Sequence, residues 1–347
     1  MNKFYKYFAQ FSLCSFCVLF FNQSSRAAMD LPAFVKENAP ILVQRRDQVK
    51  NPDRDVPIAL AYSIFFGALG ESNLIYSYYF TDKHSLHDKE AVERQMGAYG
   101  RHLDIEWAYR VDFNAITGAV SGKYYQCPVF LGIGERKCNF NGKYDSATGR
   151  PILYNVARHN VFSERPSFPL GDRNGKKIVL DAKYPVPAPS GRELVLFKNP
   201  SLVEQSDILL EKEGRLIAPG TEYLYIRIQG GLKGKGFWVG VQDPQTGTIY
   251  WSGDHEKKSR LQKMGYELWS QESYVGIRIP EALKKEILAG QSHLQFLFSP
   301  FNSKVQFNLI HIGAYLINAT SSGYQTADVS PQIHCAVQNQ LATCSMK

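Results

Sequence analysis

The densest group of side chains that could act in catalysis or metal binding includes His102, Asp104 and Glu106. In a strand, residues two apart lie on one face, about 6.5–7 Å apart, so Asp104 and Glu106 could flank a scissile bond. Two carboxylates so placed can act as general acid and general base. They are therefore candidate catalytic residues of a secreted glycan hydrolase or lyase, with His102 nearby and Tyr109 or Arg110 assisting.

The same three side chains are also a candidate metal site. Hard divalent cations prefer clustered carboxylates, and zinc prefers imidazoles with a carboxylate. His102, Asp104 and Glu106 could thus hold a divalent cation. The alternative is that both carboxylates are solvated or neutralised by a cation such as Arg110.

A second candidate site consists of tryptophans in the second half of the chain. Sugar-binding proteins use exposed aromatic rings as platforms, because a pyranose has an apolar face. Trp238 and Trp251 lie on strands joined by one predicted hairpin, and Trp269 follows them. The alternative is that these tryptophans fill the core of a sandwich.

A glycine-rich basic segment, 230–236, precedes Trp238 and contains Lys233 and Lys235. It lies between two predicted strands, so we expect a hairpin loop and not a nucleotide cradle. Its backbone amides and the two lysines could still bind an anion.

The first 27 residues are typical of a secretory signal. Lys3 and Lys6 precede an uncharged apolar run, 8–21, that is shorter than the roughly 20 residues needed to span a bilayer. Ser25 and Ala27 place small residues before a cleavage site after Ala27. An uncleaved N-terminal anchor is the alternative. No later stretch resembles a membrane span, so we expect a periplasmic or extracellular protein.

Cysteine spacing supports an oxidising compartment. Cleavage of the signal leaves four cysteines, which allow three pairings. We favour the two local pairings, Cys127 with Cys138 and Cys335 with Cys344. A zinc site made from all four is the alternative, but no CxxC spacing is present.

Charge limits the class of partner. Removing the three cations of the signal from the formal charge of +8 leaves +5 on the mature chain. This mild excess favours anionic polymers, but Lys and Arg do not form the dense stripe of a nucleic-acid binder.

Alternating hydrophobicity predicts a mainly β protein with an antiparallel β-sandwich architecture and a few short helices. The clearest strand is 102–113, in which Leu103, Ile105, Trp107, Tyr109 and Val111 would share one face. Further strands are predicted over 56–66, 74–80, 153–162, 177–181, 193–197, 223–229, 237–242, 248–251, 274–279, 294–298 and 305–317. Helices are predicted within 29–50, over 89–96 and over 280–288.

Composition divides the chain into two β-rich regions. Three prolines in 183–192 predict a linker between an N-terminal domain, 28–182, and a C-terminal sandwich, 193–320. Residues 321–347 would form a disulfide-stapled tail.

Three segments of the first half resemble the Vps62-like family of secreted or peripheral proteins and the necrosis-inducing-protein fold. They are Ala39-Pro40-Ile41-Leu42, 74–80 and Asp104-Ile105-Glu106-Trp107. The resemblance implies a β-sandwich that engages envelope glycans or lipids. It also implies that His102, Asp104 and Glu106 hold a divalent cation.

The leading hypothesis is therefore an exported β-sandwich protein that binds an envelope or extracellular polymer, in particular a polysaccharide. The alternatives are the glycan hydrolase or lyase described above and a structural surface-interaction protein without a small ligand. Exposed, coplanar tryptophans would favour binding. Carboxylates open to a pocket would favour catalysis.

Overall fold

The architecture of the computed structural model is mainly β, as the alternating patterns predict. The structure describes residues 29–44, 56–81, 92, 95–97, 99–128, 135–156, 160–166, 175–186, 191–233, 237–252, 272–290, 294–300, 306–330, 333–338 and 341–346. The predicted signal, 1–27, lies outside these ranges. No helix in the described ranges has both the length and the apolar character to cross a membrane.

The described ranges contain four α-helices with complete bounds, two 3-10 helices (Ala68–Gly70 and Gly220–Glu222), helical residues at 92, 95–97 and 99, and nineteen strands. The four α-helices are α1 (Leu31–Asn38), α2 (Leu194–Lys198), α3 (Ser201–Lys212) and α4 (Glu281–Leu288). The strands are β1 (Ile41–Val43), β2 (Pro57–Phe66), β3 (Glu71–Phe80), β4 (Asp104–Asn114), β5 (Val120–Pro128), β6 (Glu135–Asn139), β7 (Ile152–Asn155), β8 (Phe162–Ser163), β9 (Lys177–Ile178), β10 (Ala182–Val186), β11 (Tyr223–Lys233), β12 (Phe237–Gln242), β13 (Ile249–Trp251), β14 (Glu272–Arg278), β15 (Gln295–Pro300), β16 (Gln306–Thr320), β17 (Gly323–Asp328), β18 (Ile333–Gln338) and β19 (Leu341–Met346).

A six-stranded sheet forms the centre of the N-terminal half, in the order β10-β2-β3-β4-β5-β6. A four-stranded sheet, β8-β7-β1-β9, and α1 cover one of its faces. The tyrosine-rich strand β3 supplies much of this core, and Tyr76 and Tyr78 donate hydrogen bonds to the carbonyl oxygens of Val35 and Pro40 (2.5 and 2.7 Å). Burial of the rings is thus compatible with their polar hydroxyls.

The C-terminal half is a sandwich of two sheets. The inner sheet has the order β14-β11-β16-β17, and the outer sheet has the order β13-β12-β15-β19-β18. Alternate residues of each sheet meet in one core, such as Leu224 and Ile226 against Val239, Val241 and Phe296. This is the period-two pattern of a sandwich.

The inner sheet is buried on both faces. Its second face carries Tyr223, Tyr225 and Tyr274, which share a hydrophobic cluster with Tyr79 and Ile105 of the six-stranded sheet. Helices α2 and α3 contribute to the same cluster. The two halves of the chain are therefore joined by a common core.

Strands lie within two segments that were predicted as a linker and a tail. The first residues of the predicted linker belong to β10, which pairs in parallel with β2, and 187–190 lie outside the described residues. The predicted tail, 321–347, supplies β17 to the inner sheet and β18 and β19 to the outer sheet. Its strands are thus integral parts of the sandwich.

The structure overturns two local predictions and adds one helix. The predicted strand 193–197 is helix α2, in which Val195, Leu196 and Phe197 are all buried. Helix α3 was not predicted, and the glycine-rich segment 230–236 is not a hairpin loop, because β11 and β12 belong to different sheets. A short apolar run fits a helix as well as a strand, and only tertiary packing decides between them.

The first local cysteine pairing is confirmed by a disulfide between Cys127 of β5 and Cys138 of β6. For the second pairing, Cys335 and Cys344 face each other in the register of β18 and β19. Their side chains lie outside the described residues, so this disulfide stays a prediction.

Candidate functional site

A β-bulge in β4 determines which side chains share a face. Tyr76 pairs with Tyr109, but the next residue, Ser77, pairs with Trp107, which leaves Ala108 without a partner on β3. The alternation therefore reverses at Ala108. The prediction that Trp107 shares a face with Tyr109 is wrong, because Trp107 lies on the face of Arg110 and Asp112.

Asp104 and Glu106 lie inside the protein, with 2% and 7% of their surface exposed. Asp104 accepts a hydrogen bond from the side-chain amide of Asn160, and Glu106 accepts one from that of Gln126, both at 2.9 Å. Burial and these fixed partners give both carboxylates a structural role. A substrate does not reach them in this arrangement, so the geometry does not favour the hydrolase or lyase hypothesis.

Arg101 supplies positive charge beside these carboxylates. Its guanidinium lies 4.0 Å from Asp104 and 3.1 Å from Glu193, and it donates to the carbonyl of Leu103. Burial lowers the pKa of Arg101, but Glu193 and Asp104 outweigh this effect and raise it above its ordinary value. The guanidinium thus stays charged.

His102 contacts a different part of the molecule. Its Nδ1 lies 2.9 Å from Oδ1 of Asp207 on α3, and the ring is buried. The other oxygen of Asp207 accepts hydrogen bonds from the amide of Gly220 (2.6 Å) and the hydroxyl of Tyr324 (3.1 Å). Within the described ranges no three His, Cys, Asp or Glu side chains could hold a metal ion, so His102, Asp104 and Glu106 do not form the predicted site.

The candidate tryptophans differ in exposure. Trp238 is 5% exposed, so its ring is not available as a sugar platform. Trp251 is half-buried and covers Gly240, where a Cβ would lie 2.8 Å from its six-membered ring. Trp269 and Lys235 lie outside the described residues, as does the side chain of Lys233.

The sequence pattern did not predict a partly exposed surface that carries Trp107 and Tyr124, which we call the open face. It is the part of the six-stranded sheet where six side chains from β3, β4 and β5 are partly exposed on one side: Asn73, Ile75, Trp107, Arg110, Asp112 and Tyr124. The register places Ile75, Arg110 and Tyr124 in one row and Asn73 and Asp112 in the next. Neighbouring strands are about 4.8 Å apart, so these side chains form a continuous surface.

Tyr124 lies along the sheet because the residue two positions before it is a glycine. A Cβ on Gly122 would lie 2.5 Å from the Tyr124 hydroxyl and 2.8 Å from ring carbons. The ammonium group of Lys137 on β6 lies 4.1 Å from the centre of the ring. Tyr124 is thus held between the backbone of Gly122 and a cation.

Arg110 and Asp112 provide fixed polar groups on the same surface. Nε of Arg110 donates to Oδ1 of Asp112 at 2.5 Å, and both side chains are about one-quarter exposed, at 29% and 24%. No described carboxylate pairs with Lys137, which leaves positive charge beside Tyr124. The open face therefore combines an indole, a paired guanidinium and carboxylate, and a cation.

The face that each residue of β4 occupies depends on how β4 pairs with β3. Strict alternation predicts that Trp107 shares a face with Tyr109 and Val111. The bulge at Ala108 arises only when β4 pairs with β3, so periodicity in one strand does not show it.

Comparison with known proteins gave no match: no protein-family model, curated protein or solved structure matches this chain. The resemblance to the Vps62-like and necrosis-inducing proteins thus stays a prediction.

Proposed function

We propose that this chain is an exported protein that binds a polysaccharide of the cell envelope or the extracellular medium through the open face. The observation that carries the proposal is that Trp107 lies on the same partly exposed sheet face as Arg110, Asp112 and Tyr124. Aromatic rings bind the apolar face of a pyranose, and neighbouring polar groups bind its hydroxyls.

The polar groups suit a sugar with hydroxyl and acidic substituents. Asp112 can accept hydrogen bonds from hydroxyl groups, whereas Arg110 and Asn73 can donate to them. Lys137 adds a charge that attracts a carboxylate or sulfate. The net charge of the mature chain, +5, favours the same class of acidic polysaccharide.

Export is supported by two observations of different kinds. The predicted signal precedes the described residues, and the disulfide between Cys127 and Cys138 is compatible with an oxidising compartment. The disulfide also clamps β6, which carries Lys137, to β5, which carries Tyr124.

The test is a glycan-array screen of residues 28–347 with Trp107→Ala, and Phe66→Ala as the matched control. Phe66 is an aromatic side chain, 66% exposed, at the end of β2 and outside the open face. We expect the wild type and Phe66→Ala to bind the same acidic glycans. Trp107→Ala will bind them about tenfold or more weakly, which corresponds to about 1.4 kcal/mol or more.

The charge contribution is tested separately with Lys137→Gln and the control Lys143→Gln, an exposed lysine outside the open face. We expect only Lys137→Gln to weaken binding and to reduce its dependence on salt. Failure of the folded wild-type chain to bind any glycan would contradict the proposal and favour a structural surface-interaction protein.

A further inference from the structure

A groove of about 530 Å³ opens at the edge of the sandwich, far along the chain from the open face. Its walls come from both sheets and from the start of α4, and it is lined by Glu222, Tyr250, Arg278, Ile279, Pro280 and Glu281. The volume falls within the range of about 300–1,000 Å³ that is usual for small-ligand sites.

The polar groups of the groove include an ion pair. Nε and Nη2 of Arg278 donate to the same oxygen of Glu222, at 2.9 and 2.8 Å. Glu281 is the first residue of α4, and Tyr250 packs against the sandwich core. An ion pair, a second carboxylate and an anchored aromatic ring thus converge on one space.

Charge in this groove is balanced, unlike that of the open face. Glu222 and Glu281 are countered by Arg278 and by Lys284, whose buried ammonium donates to the carbonyl oxygens of Thr221 and Ile317 (2.7 and 2.9 Å). Lys284 also lies near enough to both glutamates to feel their charge. An anion would meet the carboxylates of Glu222 and Glu281 in the lining, so the groove suits an uncharged ligand with hydroxyl groups.

We propose that this groove is a second saccharide site, specific for neutral sugars, in which Tyr250 contacts the ring and Glu222, Arg278 and Glu281 bind hydroxyls. This inference rests on the proposed function in one respect, namely that the chain binds saccharides. A site on each half of the molecule would let one protein engage a mixed polymer by two contacts, which increases its avidity.

The test is calorimetric titration of the chain with two probes, a neutral cello-oligosaccharide and an acidic galacturonate oligosaccharide. The groove variant is Glu281→Gln, and the control is Glu286→Gln on the same helix, whose side chain does not line the groove. A second groove variant, Glu222→Gln with Arg278→Gln, removes the exposed ion pair without changing net charge. Thermal denaturation verifies that each variant is folded.

We expect both groove variants to bind the neutral probe about tenfold more weakly and the acidic probe unchanged. Glu286→Gln and Trp107→Ala should retain full affinity for the neutral probe. If Trp107→Ala instead weakens binding of the neutral probe and Glu281→Gln does not, the groove inference is wrong and the proposed function stands. If the wild type binds only the acidic probe, the groove inference is again wrong. If it binds neither probe nor any arrayed glycan, both proposals fail.

Discussion

At the scale of single residues, the acidic and imidazole side chains of the first half connect parts of the fold. The Asp207 carboxylate forms hydrogen bonds with the ring of His102, the amide of Gly220 and the hydroxyl of Tyr324. It therefore connects the loop before β4 to α3 and β17. Buried polar groups with several fixed partners are costly to truncate. The sequence identified His102 as chemically important, but its partner lies 105 residues away and is not visible in any local pattern.

We therefore expect Asp207→Ala to destabilise the protein by about 3 kcal/mol or more, because three hydrogen-bonding groups lose one buried acceptor. Glu211→Ala, which removes an exposed carboxylate from the same helix, should change stability by less than about 0.5 kcal/mol. Urea denaturation measures both values. Equal stability of the two variants would show that the Asp207 network contributes nothing.

At the scale of elements, the existence of most strands could be predicted, but their faces and partners could not. The predicted strand 102–113 corresponds to β4, yet the bulge at Ala108 moves Trp107 to the face of Arg110. Bulges and the choice between helix and strand for 193–197 both depend on contacts with distant segments. The same dependence explains why alternation within one strand did not predict the open face.

Deletion of Ala108 tests the bulge. Without it, β4 alternates strictly, and Ser77 can still pair with Trp107 and Tyr76 with Tyr109, so the flanking side chains keep their faces. We therefore expect this variant to remain folded by circular dichroism. Deletion of Arg110, which pairs with Ile75, must instead move either Tyr109 or Val111 to the wrong face, and we expect little soluble, folded protein. Equal tolerance of both deletions would show that these pairings do not fix the register of β4.

At the scale of the whole molecule, the chain forms a stack in which the six-stranded sheet and the inner sheet share a core rich in tyrosine. Burial is the largest cause that raises the pKa of Tyr76, Tyr78, Tyr79, Tyr225 and Tyr274 above the ordinary value of 10.0. Composition predicted an abundance of aromatic residues but not that one core would span the boundary predicted at 183–192.

These pKa shifts predict alkaline unfolding. A group whose pKa is raised by folding contributes stability that is fully present below its unfolded pKa and is lost as the pH rises above it. We therefore expect stability to fall above pH 10 and the buried tyrosines to ionise only as the fold is lost. Tyrosinate absorbance should rise in two phases, and the second should coincide with the loss of circular dichroism. A single phase with native dichroism throughout would contradict the shared core.

The most direct test of saccharide binding is a crystal structure of residues 28–347 with the acidic oligosaccharide that ranks highest on the glycan array. We predict a pyranose ring against the indole of Trp107, with its hydroxyl or acidic groups in hydrogen-bond contact with Arg110, Asp112 or Lys137. A sugar bound elsewhere, with the open face unoccupied, would contradict the proposed site.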